Sequence, residues 1–175
     1  VFSILHGACN GGVGMGLSQR LDTILRMSYA TSNPQIFIGT VAPAVKDLSL
    51  EKKSMFLHYS NLYKTFVRPL LPTCKVYHHE PVNARGGVES SGWFVMEFAS
   101  PDRSKGWALL VRLGKTQDDS YLLKLRGLDP ARNYSVTFDS LGSTTKLSGT
   151  HLTLEWLLIR LEDIGSSELL LFEAK

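Results

Sequence analysis

The spacing of hydrophobic and polar positions changes near residue 72. Before that point, short apolar runs alternate with helical stripes. Val1-Phe2-Ser3-Ile4-Leu5 reads as a buried strand, and so does Ile36-Phe37-Ile38, which Pro34 and Gly39 bound. The glycine-rich stretch Gly11-Gly12-Val13-Gly14-Met15-Gly16 leads into a helix from Leu17 to about Tyr29. Further on, Asp47 or Ser49 offers a side-chain acceptor to the free amides of a first helical turn, and Glu51 suits its positive end. Met55, Tyr59, Leu62, Tyr63, Phe66, Val67 and Leu70 then recur at spacings of three and four, with Lys52, Lys53, Asn61 and Lys64 off the stripe. Pro69 and Pro72 stop this helix, which at ~1.5 Å per residue spans roughly 28 Å. Strand, helix, strand, helix is the signature of a βα repeat.

From about Cys74 the period falls to two. Strands are expected at Trp93–Phe98, Gly106–Leu113, Tyr121–Arg126 and Tyr134–Asp139, and in the last of these Tyr134, Val136 and Phe138 share one face. Turn signals separate them at Pro101-Asp102, Gly114, Asp129-Pro130, Leu141-Gly142-Ser143, Ser148-Gly149 and Gly165-Ser166. Short strands at this spacing predict an antiparallel β-sandwich. The fold class is therefore α/β plus all-β: a βα segment followed by an antiparallel sandwich.

Composition narrows the function classes. Of 175 residues, 43% are hydrophobic and 20% charged, as in a globular protein. The net charge of +3 comes without a dense basic run, so nucleic acid is not an expected partner. No stretch of about eighteen apolar residues is present, so no conventional transmembrane helix and no membrane partner are expected. Two cysteines, Cys9 and Cys74, do not make a disulfide framework and leave the redox compartment open. The apolar start at Val1 reads as the interior of a longer polypeptide.

Candidate chemistry is sparse. The glycines at 11–16 fit neither Gly-x-x-x-x-Gly-Lys-Ser/Thr nor Gly-x-Gly-x-x-Gly, and read as a tight turn before a helix. Cys74, His78 and Glu80 would share a strand face, but Cys74 and His78 lie about 13 Å apart in an extended chain, so no metal is expected. Serine-hydrolase elbows and His-Glu-x-x-His are absent from the sequence. Asp118-Asp119 and Glu162-Asp163 read as solvated turns. Asn133-Tyr134-Ser135 matches a glycosylation pattern, which alone does not place the protein in a secretory pathway. Trp93, Trp107 and Trp156 are candidates for stacking on sugar rings, though Trp93 and Trp107 open alternating strands and so belong in the core.

The join between the two regions adds a resemblance. Tyr59 to Leu71 (YSNLYKTFVRPLL) resembles the last barrel helix of α-galactosidases of glycoside hydrolase family 36 and their clan relatives, where a Y…K…RPL helix leads out of a (β/α)8 barrel into a C-terminal β domain. Ser100 to Ala108 (SPDRSKGWA), Tyr121 to Asp129 (YLLKLRGLD) and Tyr134-Ser135-Val136 are similar to that family's β-domain motifs, in order. Ser148-Gly149 with Leu152, and Ser167 to Glu173, are similar to its late strands. The resemblance runs from about Phe37 to Phe172, whereas residues 1–30 match poorly. It implies the terminal βα segment of a (β/α)8 barrel over residues 1–72, and a C-terminal antiparallel β-sandwich over 73–175.

The resemblance further implies a retaining α-glycosidase acting on terminal α-galactosides, with two aspartates about 5 Å apart as nucleophile and acid/base. Asp22 and Asp47 lack the family's flanking residues, so the catalytic pair is expected upstream of this chain, whose sandwich is then structural. No catalytic residue is assigned within it, and no cofactor is expected. His6, Cys9 and Asn10, just after the opening strand, are the candidate substrate-binding residues, because barrel active sites lie at the C-terminal ends of the strands. The expected partner is an α-galactoside or related oligosaccharide bound through the parent enzyme. The open strand edges of a partial barrel suggest homo-oligomerisation through residues 1–40. Two alternatives remain: a non-catalytic carbohydrate-binding or interaction module, which needs aromatic rings exposed in a row on one sheet face, and a related α-glycosidase of different sugar specificity.

Overall fold

The computed structural model describes residues 21–31, 49–79, 92–114 and 118–175. The strands expected at 1–5 and 36–38 and the glycine-rich turn at 11–16 lie outside them. The chain divides into two compact units, Val1–Pro69 and Leu70–Lys175.

In the first unit, helix α1 runs over Leu21–Thr31, two residues past the expected end at Tyr29. Helix α2, Leu50–Leu62, is capped by Ser49, whose hydroxyl accepts from the Lys52 amide at 3.3 Å. Leu25 and Tyr29 of α1 bury against Tyr59 of α2, with Met55, Phe56 and Tyr63 packed around them. The Arg26 guanidinium lies 5.7 Å over the Tyr59 ring and pairs with Asp22 at 3.1 Å.

The helix runs on to Leu70, as the apolar stripe predicts, but widens ahead of Pro69. Tyr63–Val67 is a π-helical stretch in which the Arg68 amide bonds the Tyr63 carbonyl, and one last turn spans Arg68–Leu70. A proline ring at 69 crowds the carbonyl four residues back, at Thr65, and offers that carbonyl no N–H. The wider turn accommodates the ring, and the Thr65 hydroxyl donates to the Asn61 carbonyl at 2.9 Å in the same stretch.

The second unit is antiparallel throughout. Strands β1 (Lys75–His78), β2 (Trp93–Ala99), β3 (Lys105–Arg112), β8 (Ser167–Ala174), β5 (Asn133–Phe138) and β6 (Ser143–Ser148) lie side by side in that order. Strands β4 (Ser120–Leu123) and β7 (Leu157–Arg160) form a separate two-stranded ribbon. One face of the large sheet carries Trp93, Val95, Ala108, Leu110, Tyr134, Val136, Leu170 and Phe172 into a core closed by Leu123, Leu125, Leu128, Leu152, Ile159 and Leu161. The architecture is thus a lopsided sandwich, six strands opposed by a ribbon, a loop and a short helix.

Several sequence expectations need correction. Strand β4 ends at Leu123, not Arg126, because Leu125 leaves the ribbon to bond the Leu152 carbonyl through its amide at 2.9 Å. Ser148-Gly149 is not a turn between strands. The Ser148 hydroxyl accepts from the His151 amide at 3.1 Å and starts helix α3, Gly149–Leu154, so Leu152 is helical. A β-carbon at Gly149 would stand 2.0 Å from the Asp129 carbonyl oxygen, so only glycine fits here. In β2 and β3 both faces are buried, which explains why WFVMEF and GWALLV read as nearly continuous apolar runs. The outer face of these strands includes Phe98 and Trp107, stacked at 4.6 Å with 5° between the rings.

Candidate functional site

His6, Cys9 and Asn10 lie outside the described residues, as does Asp47. Asp22 faces its own helix partner Arg26. The remaining carboxylates of interest occupy the second unit, and their surroundings state what each can do.

Glu97 is the charged residue inside the apolar run of β2, and its side chain is 1% exposed. A buried carboxylate needs donors on both oxygens. The Arg126 amide donates to both, at 3.1 and 3.0 Å, the Gly127 amide to Oε1 at 2.7 Å, and His79 Nε2 to Oε2 at 2.7 Å. Gly127 permits this approach: a β-carbon there would lie 2.3 Å from that of Ala99. The Arg126-Gly127 turn is thereby pinned to the sheet. Glu168 behaves alike in β8, accepting from the Ser140 amide at 3.0 Å, the Leu169 amide at 2.9 Å and the Ser140 hydroxyl. Both carboxylates are fully engaged by the fold, which leaves neither oriented toward a substrate. Glu97 was missed in the sequence as a site, yet a lone glutamate in a buried strand was the signal that it must have internal partners.

The corner Asp129-Pro130 is organised by Tyr134. Its hydroxyl accepts from the Asp129 amide at 2.8 Å and donates to the Arg103 carbonyl at 2.6 Å, while burial pushes its pKa up. In the facing turn, Asp102 accepts from the Ser100 hydroxyl at 2.6 Å and the Ser104 amide at 3.1 Å, and these bonds lower its pKa to about 2. Arg103, next to it, adopts φ +59°.

Cys74 donates its thiol to the Leu71 carbonyl at 3.3 Å, and burial raises its pKa, so it is held as a thiol rather than an activated thiolate. His78 is exposed at the end of β1, and Glu80 lies outside the described residues. Among the described residues, three or more metal-ligating side chains do not cluster anywhere. Asp119 pairs with Arg160 at 3.4 Å across the ribbon, and Asp118, Glu162 and Asp163 are exposed.

The three tryptophans separate. Trp93 and Trp107 are 6% and 0% exposed, whereas Trp156 is 57% exposed. Trp156 borders an open trough of about 1150 Å³ formed by the ribbon, the end of α3 and the Lys124–Leu128 segment. The Lys124 ammonium stands 5.4 Å over its indole. An exposed indole beside charged and hydroxyl groups can bind a ligand.

No family model matches the chain, and no curated protein matches it. Solved structures do. The GH36 α-galactosidase AgaA from Geobacillus stearothermophilus is 22% identical with a TM-score of 0.58, covering 75% of this chain and 17% of its own. The α-galactosidase from Lactobacillus brevis is 14% identical with a TM-score of 0.60 over 75% of this chain and 18% of its own. The galactosidase domain of the α-galactosidase-sucrose kinase AgaSK is 16% identical, with a TM-score of 0.57 over 74% of this chain and 17% of its own. The chain thus spans less than a fifth of the length of these proteins, and its likeness to them is one of fold. Three quarters of this chain has the fold of a segment of GH36 α-galactosidases.

Proposed function

We propose that the chain is the C-terminal portion of a retaining α-galactosidase-type glycoside hydrolase: the end of the catalytic (β/α)8 barrel, residues 1–72, and a structural β-sandwich, residues 73–175. The likeness to GH36 α-galactosidases carries this reading, because it extends over more of the chain than the β unit alone. The helix that ends in Arg68-Pro69-Leu70 and the ordered motifs from Ser100 to Phe172 support the same assignment. The two catalytic aspartates belong to barrel strands upstream of Val1. There a nucleophile and an acid/base about 5 Å apart would form and hydrolyse a covalent glycosyl intermediate. His6, Cys9 and Asn10 would border the sugar cleft at the mouth of the barrel. The engaged carboxylates of the β unit, Glu97 and Glu168, agree with a structural role for that unit. A row of exposed aromatics, which a carbohydrate-binding module would need, is not what the tryptophans form, since two of the three are buried.

The test is hydrolysis by the polypeptide extended upstream of Val1 through a complete barrel. It should cleave a nitrophenyl α-galactoside with retention of configuration at the anomeric carbon. Cleavage of the α-glucoside or the α-N-acetylgalactosaminide in its place would move the protein to the related-specificity reading. Failure on all three would overturn the hydrolase assignment.

A further inference from the structure

The trough beside Trp156 has features that the structural role of the β unit does not use. Its floor is unusually apolar for an exposed surface. Leu122 of β4 and Leu158 of β7 are cross-strand partners, 53% and 56% exposed, and Trp156 adjoins them at 57%. Among the described residues its charged lining is unbalanced, with Arg103, Lys124 and Arg126 set against Asp118. Arg126 is positioned by a bond from its guanidinium to the His78 carbonyl at 3.3 Å, and its backbone is fixed by Glu97. Arg103 is the one non-glycine residue with positive φ among the described residues. The Tyr134 hydroxyl on its carbonyl and a 2.9 Å bond from its amide to the Ser100 carbonyl hold it there. Glycine would adopt this conformation without strain, so the arginine side chain sits at this position against a backbone cost.

We propose that this trough binds a short acidic saccharide, a chain of uronic acid residues. A pyranose ring presents an apolar C–H face that matches the exposed part of the Trp156 indole beside the Lys124 ammonium, and hydroxyls that match the Asp118 carboxylate and the Ser120 and Thr153 hydroxyls. Ring carboxylates answer the three cations, and a guanidinium binds a carboxylate through two parallel bonds. A neutral sugar would leave the cationic excess unanswered. At about 1150 Å³ the trough exceeds the ~300–1,000 Å³ of most small-molecule sites, so it accepts more than one ring. The proposal is independent of the hydrolase reading, because it concerns a surface of the β unit and an acidic ligand rather than cleavage of a neutral galactoside.

The experiment titrates the isotope-labelled 175-residue chain with tri-galacturonate and follows the Trp156 indole N–H signal, assigned through Trp156→Phe. A saturable shift is expected, weakened about threefold or more by raising salt from low to high ionic strength. Trp156→Ala should weaken binding by about tenfold, as loss of an aromatic platform. Arg103→Gly relaxes the backbone while removing a cation, so it should leave the melting temperature unchanged or higher and yet weaken binding several-fold. An absent shift, an equal response to neutral maltotriose, unaltered binding in Arg103→Gly, or a response to an acidic peptide in place of the saccharide would each overturn the proposal.

Discussion

Glu97 shows how one buried side chain organises its surroundings. Replacing it with alanine leaves the Arg126 and Gly127 amides and the His79 ring without their acceptor. At ~1–3 kcal/mol for each buried donor left unsatisfied, Glu97→Ala should cost about 3 kcal/mol or more in urea unfolding, and Glu97→Gln, which keeps one acceptor oxygen, roughly half of that. A loss under about 1 kcal/mol for the alanine variant would contradict the network's role. Gly127→Ala attacks the same contact from the other side. Its new methyl meets the Ala99 β-carbon, which has no rotamer to yield, so the sheet or the turn must shift at about 1–3 kcal/mol, measurable in the same unfolding curves. Asp102 gives a pH signature. Its pKa falls from 3.8 to about 2 in the folded chain, chiefly through the Ser100 hydroxyl. A depressed carboxylate stabilises the fold above its unfolded pKa, and that contribution is lost as pH drops from about 4 through 2. Nuclear magnetic resonance titration of the Asp102 carboxyl should show the low midpoint, and Asp102→Asn should flatten the stability slope across that window.

At the scale of elements, legibility followed burial. Strand β5 was readable because one of its faces is core and the other is not: Tyr134 and Val136 are buried while Ser135 and Thr137 are half-exposed. Its partner β6, Ser143–Ser148, is an exposed edge strand of mostly polar residues, and its sequence holds no alternation to find. Helix α3 was hidden because Ser-Gly serves equally as a turn and as a cap with its first helical residue. What decides between them is the packing of Gly149 on the Asp129 carbonyl, a contact twenty residues away in sequence. The cap at Ser49 was local and therefore visible. The inner strands admit a direct test. Trp107 is fully buried and stacked on Phe98, so Trp107→Ala should cost about 3–5 kcal/mol in chemical unfolding, from lost transfer energy and the cavity left behind. A cost below about 1 kcal/mol would mean that the outer face of β2 and β3 is not packed as described.

At the scale of the whole molecule, the β unit holds its own continuous core, formed by both of its layers. A chain beginning near Thr73 should therefore keep this core and unfold in one cooperative transition by calorimetry. The candidate sugar-facing residues His6, Cys9 and Asn10 were named through the resemblance alone, and they lie outside the described residues. The engaged carboxylates at Glu97 and Glu168, in contrast, could be placed only once the sheet register brought their donors together. The proposed function places the catalytic carboxylates outside this chain. Its most direct test is the turnover of a nitrophenyl α-galactoside by the purified 175-residue chain itself. Hydrolysis no faster than the uncatalysed background is expected, because the proposed function puts both carboxylates of the retaining pair outside this chain, and loss of either removes most of the rate. Turnover that survives purification and disappears in Asp22→Asn or Asp47→Asn would contradict it.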